Sequence, residues 1–148
     1  MLTCHWVHFT HDHALWDVVA FVCLGAVCER LSRARFVGAI VASSVGISAA
    51  VWFVQPELAS YRGLSGVDSA LFGLLAAMLI RDALRRRDRV QLGVVVGGLL
   101  LFAAKVAYEA ATGGAVFTAD LGAGVVAVPL AHVVGAAVGA AVGGWRRS

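Results

Sequence analysis

Long apolar runs, broken by short clusters of arginine, restrict the fold of this chain more than any other feature. Five runs (residues 13–31, 36–54, 65–84, 90–109 and 127–145) come near the ~20 residues needed to cross ~30 Å of hydrocarbon. A segment in lipid must pair its own backbone groups, so each run is expected to be a helix. Composition agrees: 60% of the 148 residues are hydrophobic and 14% charged, where a soluble domain carries about a quarter charged residues. Nothing separates as a soluble domain or a long linker. Residues 1–148 are therefore expected to form one all-α domain, a polytopic transmembrane helical bundle in the lipid bilayer.

The arginines orient that bundle. Arg30, Arg33 and Arg35 fall between the first two spans, Arg81, Arg85, Arg86, Arg87 and Arg89 between the third and fourth, and Arg146 and Arg147 after the fifth. In a five-span zigzag all three clusters lie on one side, and basic residues mark the cytoplasmic side. The other side holds the N-terminal stretch, "QPELASYRGL" and "ATGGAVFTADLGAG", with Arg62 as its one arginine. The C-terminus is thus expected in the cytoplasm. The pI near 9.1 reflects this anchoring, so no nucleic-acid partner is called for. The start, "MLTCHWVHFTHDH", has neither the charged nor the apolar region of a signal peptide. An N-terminus outside without an export signal leads to the expectation of a further upstream span.

Small residues organise the packing. Gly135, Gly139 and Gly143 recur at four-residue spacing in the last span, and Gly66, Ala70, Gly73 and Ala77 form a second stripe in the third. Such faces let membrane helices approach closely, so these two spans are expected to touch. His132 lies three residues before Gly135, on the same face. Ser65 stands beside Gly66 at the outer end of the other stripe. A serine in a membrane helix is usually a satisfied packing residue, but an ionisable group there is a functional suspect. At matched depth the two could meet.

Their chemistry would be nucleophilic acyl transfer. A serine hydroxyl needs a neighbouring base to take its proton, and neutral histidine suits that role. Gly63 and Gly66 would let the backbone turn tightly and a substrate carbonyl come close. The unpaired N–H groups of a helix N-terminus at Ser65 could hold an oxyanion. A Ser-His pair without an acid is a variation on triad logic.

These residues resemble the rhomboid intramembrane serine proteases. "GLSG" (Gly63 to Gly66) and "AHVVGAAVG" (Ala131 to Gly139) are similar to the family's Gly-x-Ser-Gly and His-x-x-Gly-x-x-x-Gly. "HFTHDHALWDVVAFVCLGAVCERL" is similar to its first conserved block, with His8, His13 and Asp17 on the polar positions and Gly25 on the glycine. The resemblance implies a Ser65–His132 dyad, with His13 and the Ser65 N–H serving the oxyanion and no cofactor. "YRGLSGV" and "KVAYEAATG" further resemble the rhombosortases, short bacterial rhomboids. That likeness implies membrane-anchored substrates with a C-terminal transmembrane tail of Gly-Gly type. It also implies a bacterial inner-membrane location with the site toward the periplasm. The family core has six spans, so the likeness implies that the first is absent here, an N-terminal truncation.

Three positions depart from the pattern. Asp17 stands where rhomboids carry asparagine, and an ionised carboxylate cannot donate to an oxyanion; at i+4 from His13 it could orient that ring. Ser69 replaces the ring common four residues after the serine, and Asp68 adds an acid one turn below Ser65. Lys105 and Glu109, at i and i+4, are expected to form a partly buried pair that aids packing.

Competing readings are weaker. Cys4, His5, His8, His11, Asp12 and His13 include zinc-ligand types but meet no fixed spacing, so no metal is expected. His5 and His11 read as polar residues at the membrane surface, and Cys4, Cys23 and Cys28 as free thiols. From a different class, the chain could be a non-catalytic, small-residue-rich membrane protein, such as a transporter half or an assembly factor. The geometry between Ser65 and His132 separates the two.

Overall fold

The computed structural model describes residues 3–58, 61–116 and 127–145, and among them it is helical throughout, with no strand. A short 3₁₀ turn (Cys4–Trp6) precedes α1 (His11–Val54), α2 (Ser65–Arg86), α3 (Arg89–Thr112) and α4 (Pro129–Gly144). The first two expected spans are the two arms of α1. Ser32, at φ −167° and ψ 96°, breaks the helix between them. The arms fold back on each other: Phe36 of the second lies 3.3 Å from where a Cβ on Gly25 of the first would stand. Phe21, Leu24, Phe36 and Ile40 pack around buried Cys28, Ala39, Leu71 and Leu74.

Local signals set the helix ends. The Thr10 hydroxyl accepts from the His13 N–H, 3.2 Å, and the Asp88 carboxylate accepts from the Gln91 N–H, 2.9 Å, as N-caps do. Gly113 closes α3 in the left-handed region, φ 71°. Pro129 opens α4, at the position where a missing N–H loses nothing.

The helix pair expected from the small residues is the tightest among the described helices. A Cβ on Gly135 would overlap the Gly66 carbonyl, one on Gly139 the Ala70 carbonyl, and one on Gly73 the Ala136 carbonyl. Backbone therefore lies on backbone along α2 and α4. Helix α3 is the opposite case, with only Val95 and Glu109 buried and Val90, Leu100 and Leu101 exposed. Helices α1 and α3 are long and apolar enough to cross a membrane, and α4 is a shorter apolar helix. Apolar side chains facing outward on that scale fit lipid and not water.

Two of the arginine clusters meet the same end of α4. Arg81 donates to the carbonyls of Gly143, Gly144 and Trp145 at 3.0, 3.2 and 3.3 Å, and Arg35 to that of Trp145 at 3.1 Å. These are the carbonyls a helix C-terminus leaves unpaired, where positive charge is favourable. Arg146 and Arg147 lie outside the described residues. Ser65 sits at the other end of α2, about 24 Å from Arg81 at 1.5 Å per residue.

Candidate active site

Ser65 is the first residue of α2, and the loop before it is held from two directions. Gly63 adopts φ +124°, and a Cβ there would stand 3.0 Å from the His13 ring and 3.2 Å from the Asp17 carboxylate. Only glycine meets both conditions without strain. The Gly63 N–H donates to the Cys4 carbonyl, 3.2 Å, and the Tyr61 ring meets His5 edge-on, centroids 5.6 Å apart. His5 is fully buried, with Nε2 3.1 Å from both the Ser44 carbonyl and the Ser48 hydroxyl on the second arm of α1. The surface position expected for His5 is thus corrected. It pins the N-terminal segment to α1, and burial holds its imidazole below the ordinary value.

His132 enters from the first turn of α4, beside Ala131 and the glycine face. Its Nε2 lies 3.1 Å from Ser65 Oγ, a hydrogen-bond distance between base and hydroxyl. His132 is 5% exposed, while Ser65 is half-buried. Both residues line a cavity of about 580 Å³, together with Asp17, Asp68, Phe72 and Glu109.

The other ring nitrogen faces a pair from α3. His132 Nδ1 lies 2.9 Å from Glu109 Oε2, which also accepts from Lys105 Nζ at 2.8 Å. Lys105 Nζ is itself 3.3 Å from Nδ1. The expected Lys105–Glu109 pair forms, but it is set against the imidazole.

A second network gathers on Asp17. Its Oδ2 accepts from the Leu64 N–H at 2.9 Å and the Ser65 N–H at 3.2 Å. His8 Nε2 and His13 Nε2 lie 3.0 and 3.3 Å from the same oxygen. The carboxylate thus fills the anion position in front of the α2 N-terminus, where unpaired amides and the helix dipole favour negative charge. The donors expected to face an oxyanion, the Ser65 N–H and His13, are aimed at Asp17.

The remaining expected positions fall around this centre. Gly66 lies under Ser65, where a Cβ would meet Ile47 and the Tyr61 hydroxyl, both at 2.9 Å. Gly73, Gly135 and Gly139 line the α2–α4 contact below the site. Ser69 Oγ donates to the Ser65 carbonyl, 2.8 Å, and no aromatic ring pairs with His132 among the described residues. Asp68 is 7% exposed and its Oδ1 has no hydrogen-bond partner among the described residues. Cys4, Cys23 and Cys28 are free thiols. No group of three or more His, Cys, Asp or Glu among the described residues is arranged to hold a metal; His8 and His13 are turned onto Asp17.

A family model for the rhomboid domain matches residues 1–147. No curated protein and no solved structure matches the chain. With the match spanning nearly every residue of an all-helical, outwardly apolar bundle, the chain belongs to the rhomboid family, membrane proteins that are in general serine proteases acting on membrane-protein substrates within the bilayer.

Proposed function

We propose that this protein is an intramembrane serine endopeptidase in which Ser65 is the nucleophile and His132 its general base. The observation that carries the reading is the 3.1 Å contact between Ser65 Oγ and His132 Nε2 in the wall of the cavity. Attack of Oγ on a scissile carbonyl sends its proton to Nε2, and the imidazolium returns that proton to the departing amine. With the arginine clusters cytoplasmic, the site opens toward the periplasm of a bacterial inner membrane and the C-terminus is cytoplasmic.

The substrate is a membrane-anchored protein cut near a C-terminal transmembrane tail. A helix hides its carbonyls in hydrogen bonds, and each glycine weakens it by about 1 kcal/mol relative to alanine. A glycine pair beside the tail unwinds into the site at little energetic expense. The Gly-Gly preference rests on the rhombosortase resemblance of "YRGLSGV". The test uses a tailed reporter and the same reporter with leucine in place of both tail glycines. Preferential cleavage of the glycine form is expected; equal cleavage defeats the tail preference, leaving a general membrane protease.

One observation favours a second reading, a non-catalytic family member. The Asp17 carboxylate takes the Ser65 N–H, a donor that the oxyanion would need. Absence of any Ser65-dependent cleavage, with the fold intact, would favour that reading.

A further inference from the structure

We infer that Glu109 is a positioning residue for His132, so that the site works as a Ser65–His132–Glu109 relay held in place by Lys105. The inference rests on the Ser65–His132 reading above and goes beyond the dyad that the sequence resemblance implies.

Most of helix α3 is exposed and the rest half-buried, with only Val95 buried besides Glu109, yet Glu109 is 2% exposed. Packing alone does not account for that. Burying an ion pair removes two charges from water, and their mutual attraction repays this only in a good geometry. Lys105 is one turn away on the same helix and needs no partner from α4. Instead Glu109 Oε2 reaches His132 Nδ1 at 2.9 Å, shorter than the 3.3 Å from Lys105 Nζ to the same nitrogen. Its Oε1 accepts a long hydrogen bond from the Val116 N–H, 3.4 Å.

The tautomer decides the chemistry. His132 can accept the Ser65 proton at Nε2 only if Nδ1 carries the hydrogen, and Nδ1–H needs an acceptor. Glu109 is one. Lys105 is not, because an ammonium has three donors and no lone pair. Facing Lys105 alone, Nδ1 would act as acceptor, the hydrogen would sit on Nε2, and the base would be lost. Glu109 therefore selects the productive tautomer, while Lys105 holds its carboxylate in place, 2.8 Å away.

In the reaction, the Oγ–C bond forms as the Ser65 proton moves to Nε2 and the carbonyl π electrons move to oxygen. On collapse the C–N bond breaks and the Nε2 proton leaves on the amine. Nδ1–H stays on His132 throughout, facing a Glu109 that remains ionised and stabilises the transient imidazolium.

The test compares Glu109→Gln, Lys105→Met and Ser65→Ala with the wild type in lipid nanodiscs. The readouts are cleavage kinetics on the tailed reporter and ¹⁵N spectra of labelled histidine, with His132 assigned by difference against His132→Asn. Glu109→Gln is expected to lower kcat by about 10²-fold or more with KM little changed, and to move His132 from the Nδ1–H to the Nε2–H form. Lys105→Met is expected to lose about tenfold or less, since Glu109 still accepts from Nδ1. Equal losses in the two variants, with the His132 tautomer unmoved, would mean that the pair only packs and would overturn the inference. Cleavage that survives Ser65→Ala would instead defeat the dyad, and the tautomer shift would still decide what Glu109 does.

Discussion

Asp17 Oδ2 lies 3.2 Å from the Ser65 backbone nitrogen and 2.9 Å from that of Leu64, so a carboxylate of the chain holds the backbone donors that the proposed reaction would offer to an oxyanion. Negative charge there repels the developing oxyanion and occupies its donors. Asp17→Asn keeps an acceptor for the Leu64 N–H and removes the charge. It is expected to raise reporter cleavage by about tenfold, against the 10²–10³ that a single oxyanion donor is typically worth. A fall in rate with the fold intact would show that the carboxylate itself is needed.

Helix α4 tolerates no side chain where it crosses α2. A Cβ on Gly139 would overlap the Ala70 carbonyl, whereas one on Gly144 meets nothing within 4 Å. Gly139→Ala is expected to destabilise the bundle by about 1–3 kcal/mol, the range for overpacking, and to displace His132 from Ser65. Gly144→Ala should leave thermal unfolding in detergent unchanged. Equal behaviour of the two would contradict the close α2–α4 contact.

His5 couples the N-terminal segment to the loop that carries Ser65. Burial lowers its folded value below the ordinary 6.5, so the undocked segment binds a proton more readily than the docked one. Docking is then complete above about pH 6.5 and weakens as pH falls through the folded value. Hydrogen-exchange protection of the Gly63 amide, which donates to Cys4, should fall with pH across that range. His5→Gln should abolish the dependence, and a dependence that persists would reassign it.

Residues on the α2 and α4 stripes were legible in the sequence because helical periodicity alone puts glycine and alanine on one face. Ser65 and His132 inherit their meeting from that stripe. Glu109 was not legible as a partner of His132, since no periodicity relates α3 to α4. The available signal was a lone acidic residue in an apolar helix, which also suits an ion pair with Lys105. His5 escaped for a similar reason: its burial depends on the 3₁₀ turn folding over Ser44 and Ser48, some forty residues away. The Asp17 departure was visible, but its hold on the Leu64 and Ser65 amides depends on the conformation of Gly63. The join between the first two spans was placed within a few residues, and its form, a single break at Ser32, needed the backbone.

The most direct test of the Ser65–His132 dyad is the site of modification by a fluorophosphonate, mapped by mass spectrometry on the protein in nanodiscs. One adduct is expected, on Ser65, formed at least about 10²-fold more slowly in His132→Ala, which lacks the base. An adduct on another residue, or a Ser65 adduct forming at the same rate without His132, would contradict the dyad.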